Sequence, residues 1–252
     1  MTNNELKDFL NEKADYYEHT NFITSDPIQV VHQFDKKQDI EIIGLLTATI
    51  AWGQRKSIIN NAKKIVSILE NEPYRFITEA SNFETQQATL FVHRTFNGAD
   101  LVGFFDALKT LYKQHSSLEN YFCTPKQSAK DGIVQFRNAM LEANIPSRSH
   151  KHISNPLKNS AAKRLNMYLR WMCRPNTKGV DFGIWKQFPL NEVMIPLDVH
   201  TGKVARKLGL ITRKQNDWKA LEELMKTLKT FDNQDPGKYD FALFGLGAFE
   251  GF

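Results

Sequence analysis

The chain is poor in cysteine and has no long apolar run, and both absences exclude classes of protein. Cys123 and Cys173 are the two cysteines of the 252 residues, and neither lies at CxxC or Cys/His spacing. Two cysteines are too few for a four-cysteine iron–sulfur cluster, and this spacing gives no support for a zinc site or a disulfide framework. No window approaches the roughly 18 apolar residues of a membrane span. We therefore expect no iron–sulfur cluster, no metal, no cofactor and no membrane partner.

Signals for strands and for export are also scarce. No series of alternating β-branched runs is joined by Asn-Gly or Asp-Gly turns. The opening MTNNELKDFL has neither the basic nor the apolar region of a secretion signal, so we expect a cytoplasmic protein. Hydrophobic residues make up 41% of the chain and 18 residues are Phe, which predicts a large, ring-rich core.

Helical periodicity takes the place of strand patterns along most of the chain, which predicts an all-α fold. The segment IEIIGLLTATIAW at 40–52 is apolar throughout and too long for a typical strand, so it predicts a buried helix. A polar break is expected at 93–97 and a basic loop at 144–159. The remaining predicted helices are 5–20, 28–34, 56–69, 74–80, 100–114, 118–122, 130–143, 160–174, 216–230 and 236–247.

The best-marked functional segment is IPLDVHTGKVARKLGL at 195–210. Pro196 disfavours helix at Ile195, Asp198 stands where its side chain can cap a new helix, and Gly209 ends that helix. Local pattern alone reads Asp198 as an N-cap. A capping carboxylate can also be catalytic, because helix-terminal amides keep it ionised.

Three motifs resemble the helix-hairpin-helix DNA glycosylase superfamily, which includes endonuclease III and the 8-oxoguanine glycosylases. The 195–210 segment resembles the Pro-Val-Asp-x-His stretch that carries the catalytic aspartate of this superfamily. KRLNMYL at 163–169 resembles the hairpin helix KTANVVL, which carries the nucleophilic lysine of the lyase members. AWGQ at 51–54 resembles the segment whose glutamine is inserted into DNA. The resemblance therefore implies Lys163 as nucleophile, Asp198 as catalytic carboxylate and Gln54 as a DNA contact.

The chain as a whole resembles a bacterial family of uncharacterised conserved proteins, endonuclease III-like, that share KRLNMYLRWM, VDFGIWK and IPLDVHTGKVARKLGL. This resemblance implies an all-α, two-lobed helix-hairpin-helix DNA glycosylase-like fold. The expected lobes are a central one at about 38–175, which holds the hairpin, and a second one made from 1–37 and 176–252. The implied function is base-excision repair, as a DNA glycosylase with AP-lyase activity.

The implied partner is double-stranded DNA with a damaged base or an abasic site, bound by a monomer at the nucleoid. A formal net charge of +5 is compatible with such a polyanion. The superfamily hairpin reads Leu-Pro-Gly-Val-Gly, whereas this chain has LKNSA at 157–161, so phosphate contacts are expected from Lys158 and Asn159. The other expected DNA contacts are Arg170, Arg174, His200, Lys203 and Arg206.

Other interpretations of these residues remain open. Helix phase alone places Lys163 on a solvated polar face together with Arg170 and Arg174. A scaffold without hairpin glycines also suits a non-catalytic DNA- or RNA-binding protein. Asp198 and His200 together are compatible with a metal-dependent hydrolase, although D-x-H at a helix start is more often structural. The link between Lys163 and Asp198 contains TKGVDFGIWKQF, an insertion expected to reshape the pocket.

Overall fold

The computed structural model describes residues 1–81 and 84–252, and it is mostly helical. In chain order the α-helices of these residues are α1 (Asn3–Tyr17), α2 (Asn21–Ser25), α3 (Ile28–Val31), α4 (Lys37–Thr49), α5 (Arg55–Ile68), α6 (Pro73–Glu79), α7 (Gly98–Gln114), α8 (Ala129–Glu142), α9 (Lys163–Cys173), α10 (Val199–Lys207), α11 (Trp218–Phe231) and α12 (Tyr239–Ala248). Short 3₁₀ helices span Glu84–Leu90, Leu118–Tyr121, Ser147–His152, Pro156–Lys158, Leu190–Glu192 and Pro236–Lys238. The helical content of 64% confirms the all-α class.

One small sheet interrupts the helices of the described residues. Strands β1 (Val92–His93) and β2 (Phe96–Asn97) pair antiparallel, with His93 opposite Phe96. The sequence predicts only a polar break here, because two-residue strands are too short to show alternation. Asn97 then caps α7 by accepting hydrogen bonds from the amides of Ala99 and Asp100.

The described chain forms two compact units. The terminal unit contains residues 1–22, 127–130 and 155–252, and the central unit contains 23–126 and 131–154. These boundaries differ from the expected lobes, because residues 23–37 group with the central segment and 155–175 group with the two ends of the chain. The polar side of α9 explains the second difference, since its arginines pair with carboxylates of the terminal unit.

The terminal unit is built around α12, an apolar helix that packs against α1 and α10. Gly245 makes the contact with α1 possible, because a Cβ at this position would lie 2.2 Å from the Tyr17 ring. The Tyr17 hydroxyl donates to Glu250, which also pairs with Lys13. Two ends of the sequence that are far apart in the chain thus share one core.

The central unit is built around α4, whose residues from Asp39 to Thr49 are all buried. Helices α3, α5 and α6 pack on it, which confirms the buried helix expected from the apolar 40–52 segment. Glu41 is a charged residue inside this helix, and it accepts hydrogen bonds from the Tyr112 hydroxyl, the Ser117 hydroxyl and the Leu118 amide. These three donors replace water around the buried carboxylate. Among residues 1–81 and 84–252, no helix is both long and apolar enough to cross a membrane.

Candidate active site

The turn at 155–162 precedes α9 and holds two residues in the left-handed conformation. Asn155 accepts a hydrogen bond from the Leu157 amide, and a 3₁₀ turn over Pro156–Lys158 follows. Asn159 (φ 61°) and Ala162 (φ 47°) then have positive φ angles. Asn tolerates this conformation because its side chain can bond locally, whereas Ala adopts it only under strain. The turn therefore uses backbone angles that usually require glycine, although it contains none.

Lys163 is the first residue of α9, directly after the strained Ala162. Its side chain is one-third exposed, while most of the following helix is buried. The apolar face of α9 includes Tyr168 and Leu169, as its phase predicts. The start of α9 thus presents an amine at the edge of a buried helix.

Asp198 begins α10 as its N-cap, as the sequence predicts. Its Oδ1 atom accepts the Thr201 amide at 2.9 Å, and the extended backbone at Asp198 follows the buried Pro196 and Leu197. The helix ends at Lys207, and Gly209 adopts a positive φ of 72°, the usual glycine C-terminus.

The two leading candidates meet in the terminal unit. Lys163 Nζ lies 3.9 Å from Asp198 Oδ2, and the two side chains are 33% and 20% exposed. Asp198 uses Oδ1 for the cap and Oδ2 for the lysine, so a single carboxylate serves both contacts. The pair is half-buried, and both side chains keep some contact with solvent.

Arg170 and Arg174 do not form an exposed basic stripe, and the expectation that they contact DNA from such a stripe is wrong. Arg170 is 3% exposed and Arg174 is 4% exposed. Arg170 pairs with Asp240, and its Nε lies 3.4 Å from Asp181. Arg174 pairs with Asp181 and, in addition, with Glu18 and Asp235.

These carboxylates hold the arginines charged inside the terminal unit. Burial alone lowers the pKa of Arg174, but Asp181 and then Asp235 and Glu18 raise it to well above its usual value. Burial raises the pKa of Asp240 to about 6, although Arg170 opposes this shift. The polar side of α9 is therefore a buried ion-pair network below Lys163 and not a solvated face.

The inserted segment between α9 and Asp198 supplies part of this network. The Phe182 amide donates to the Trp171 carbonyl at 2.8 Å, and the Trp185 amide donates to the Met172 carbonyl at 2.9 Å. These bonds fix Asp181 beside both arginines. The insertion thus packs along the C-terminal half of α9, with Trp185 buried against Tyr168.

Asn159 and Arg206 use their side chains within the protein. The Asn159 amide group donates to Asp217 and accepts from the Lys219 backbone. The Arg206 guanidinium donates to Asn216 and to the carbonyls of Gly202 and Arg213. Both residues hold the local structure together, a role that the sequence did not predict.

The other expected DNA contacts are exposed. Lys158 lies on the turn before α9, and His200 and Lys203 lie on α10, all in the terminal unit. Gln54 belongs to the central unit, where it precedes α5 and is exposed next to Gly53, whose φ is 100°. Among the described residues, no group of three or more His, Cys, Asp or Glu side chains is arranged to hold a metal ion.

Several residues of this region were missed by sequence reasoning. Asp240 lies at the start of the apolar helix α12. A single carboxylate in an apolar segment indicates a buried ion pair, so the sequence contained a signal for this residue. Asp217 has the pattern of an N-cap before α11, and it caps this helix through the Ala220 amide. Asn216 carried no signal, because its partners come from a different helix.

Comparison with protein families assigns residues 26–249 to the family described as "Protein of unknown function (DUF2400)". The match covers most of the chain, so the protein belongs to this family. No curated protein and no solved structure matches the chain.

Proposed function

We propose that this protein is a DNA base-excision-repair glycosylase with AP-lyase activity, built on a helix-hairpin-helix glycosylase-like fold. The proposal depends above all on one observation, the 3.9 Å distance between Lys163 Nζ and Asp198 Oδ2. These residues were selected from two separate motifs of the sequence, and they lie together at the starts of α9 and α10. An amine beside a carboxylate is the arrangement that such a lyase uses.

The turn before α9 supports the proposed fold. A helix-hairpin-helix turn needs left-handed residues close to the start of its second helix, and glycine normally supplies them. Here Asn159 and Ala162 adopt that conformation, and Lys163 follows at once as the first residue of α9. The turn thus has left-handed residues just before its helix, although it contains no glycine.

The proposed chemistry at an abasic site starts with the aldehyde carbon C1′ of the opened sugar. Lys163 attacks C1′ as a free amine, and Asp198 accepts the proton that the nitrogen loses. Asp198 passes this proton to the former aldehyde oxygen, which takes a second proton from solvent and leaves as water, so that an iminium ion forms between Lys163 and C1′. Removal of a C2′ proton then expels the 3′ phosphate and cleaves the strand. With an intact damaged nucleotide, attack at C1′ instead breaks the glycosidic bond, and the base leaves with the bonding electrons.

A glycosylase must also hold DNA while the target base leaves the stack, which costs a few kcal/mol. The exposed cations Lys158 and Lys203 and the exposed His200 are assigned to the DNA backbone in this proposal. Gln54, in the central unit, stays an expected DNA contact on which the proposed chemistry does not depend. The buried Arg170 and Arg174 have no part in this contact and serve to position α9.

Borohydride trapping tests the proposal, because reduction turns an iminium ion into a stable covalent adduct. Wild-type protein is incubated with duplex DNA containing an abasic site, and the adduct is measured by gel shift after denaturation. We expect an adduct with the wild type and none with Lys163→Ala. Lys186→Ala is the matched control, since Lys186 is an exposed lysine of the terminal unit outside the site, and it should trap DNA like the wild type.

Absence of an adduct from the wild type, on abasic DNA and on duplexes with oxidised or alkylated bases, would overturn the proposal. If the wild type then still binds duplex DNA, the non-catalytic DNA-binding alternative takes its place. An adduct that persists in Lys163→Ala would also contradict the assignment of the nucleophile.

A further inference from the structure

The loop at 212–217, between α10 and α11, contacts the turn that precedes Lys163. Asp217 Oδ2 accepts a hydrogen bond from Asn159 Nδ2 at 2.8 Å, and residues 160 and 217 form an isolated antiparallel bridge. The next amide, that of Trp218, donates to the Asn159 carbonyl at 3.1 Å. The turn is thus fixed through both the side chain and the backbone of Asn159.

The same loop contacts the start of α10, where Asp198 lies. Asn216 Nδ2 donates to the Asp198 carbonyl at 2.7 Å, and Asn216 Oδ1 accepts from Arg206 at 2.7 Å. Gly202 allows this approach, because a Cβ there would lie only 2.4 Å from Asn216 Oδ1. A glycine inside a helix is unfavourable by itself, and here the close contact of Asn216 explains it.

Neighbouring residues keep the loop in this position. Arg213 forms a two-pronged ion pair with Asp217, with contacts of 2.6–2.9 Å. The hydrogen bonds from Arg213 hold the pKa of Asp217 well below its usual value, so Asp217 stays ionised. Arg206 also donates to the Arg213 carbonyl.

We propose that Asn216 and Asp217, called the bracket below, are positioning residues that set the separation between Lys163 and Asp198. Asp217 holds the turn that precedes Lys163, Asn216 holds the carbonyl of Asp198 itself, and the two bracket residues are adjacent in the chain. A shift of either one therefore moves one catalytic group relative to the other. This inference rests on the proposed function and adds two residues to its machinery.

The test compares adduct formation under single-turnover conditions, with protein in excess over abasic duplex. Asn216→Ala removes the contact with the Asp198 backbone. Gly202→Ala keeps Asn216 in the sequence, but its added Cβ displaces the Asn216 side chain. Asp217→Ala removes the contact with Asn159. Because a misplacement of about 1 Å can cost roughly 100-fold in rate, we expect each variant to lower the maximal trapping rate at least about 10-fold while the affinity for duplex DNA stays within about 3-fold.

Two further variants separate positioning from general loosening of the loop. Glu223→Ala is the control, since Glu223 holds the far end of the loop through Thr212 and contacts neither Asn159 nor Asp198; its rate should match that of the wild type. Asp217→Asn keeps an oxygen for the α11 cap at Ala220, but an amide nitrogen takes the place of the Oδ2 that accepts from Asn159, so its rate should fall like that of Asp217→Ala. Melting temperatures identify the variants that remain folded.

Trapping rates of Asn216→Ala and Gly202→Ala equal to that of the wild type would overturn the bracket while leaving the proposed function intact. If the wild type forms no adduct, the proposed function is contradicted instead. The bracket is then tested by the crystal structure of Asn216→Ala, in which we expect the distance between Lys163 Nζ and Asp198 Oδ2 to exceed that of the wild type by about 1 Å or more. An unchanged distance would contradict the bracket.

Discussion

Asp198 caps α10 with one carboxylate oxygen and faces Lys163 with the other, and the two contacts use different properties of the side chain. The cap needs an acceptor, which Asn supplies about as well as Asp. The contact with Lys163 needs a negative charge. A pair of substitutions at this position can therefore separate the structural role from the catalytic one.

We expect the free energy of unfolding of Asp198→Asn to lie within about 0.5 kcal/mol of the wild-type value, because the cap on Thr201 is retained. Its trapping rate should fall by about 100-fold or more, the usual contribution of a general base. Asp198→Ala should lose the same rate and, in addition, about 1 kcal/mol of stability. Urea denaturation and borohydride trapping measure the two effects, and an Asp198→Asn variant that traps DNA at the wild-type rate would rule out a catalytic carboxylate.

Asp240 offers a prediction about pH, because burial raises its pKa to about 6 from the ordinary value of 3.8. The folded protein holds this proton more tightly than the unfolded chain does. The stability that the proton contributes is therefore complete below pH 3.8 and is lost as the pH rises through about 6.

Asp240→Asn removes this titration, so its stability relative to the wild type should depend on pH. Between pH 4 and pH 7 we expect the wild type to lose up to roughly 3 kcal/mol of unfolding free energy relative to the variant. Urea denaturation of both proteins across this range measures the difference, in which the other titrating groups largely cancel. A difference that stays constant from pH 4 to pH 7 would show that Asp240 is ionised throughout.

At the scale of elements, the turn before α9 carries strain that a single substitution can relieve. Ala162 has a φ of 47°, and a non-glycine residue pays about 1–2 kcal/mol in the left-handed region. Glycine avoids this strain, although it loses more chain entropy on folding. Ala162→Gly also removes a buried methyl group, so we expect it to destabilise the protein by about 1–2 kcal/mol less than an Ala→Gly change that relieves no strain, as measured by urea denaturation.

Ala161 provides the matched control for this substitution. It is also buried and adjacent, but its φ is not positive. Ala161→Gly should therefore destabilise the protein, since it removes a buried methyl group and relieves no strain. Equal destabilisation by both substitutions would mean that the left-handed conformation at Ala162 is not strained.

The positions of most helices followed from the sequence, because amphipathic periodicity reports directly which side of a helix is covered. The cap at Asp198, the end at Gly209 and the buried helix α4 were all predicted from local residues. The role of the polar side of α9 was not predicted from local residues. Helix phase predicts solvent beside Arg170 and Arg174, whereas their partners Asp181 and Asp240 come from segments that only the tertiary fold brings near.

At the scale of the whole molecule, the formal charge of +5 does not show which cations reach the surface. Two arginines of the terminal unit are buried in ion pairs, and Arg206 and Arg213 are bound within the loop region. The contacts of the bracket also cannot be read from the sequence, since Asn216 lies far in sequence from Lys163. The sequence thus predicted the two catalytic candidates, while the residues that hold them together required the structure.

The central claim is that Lys163 becomes covalently attached to DNA, and mapping the attachment site tests it most directly. Wild-type protein is reduced with borohydride on an abasic duplex, digested, and analysed by mass spectrometry of the DNA-linked peptide. The account predicts that the sugar remnant is carried by Lys163 alone. A remnant on Lys158, Lys203 or any other amine, or no linked peptide at all, would contradict it.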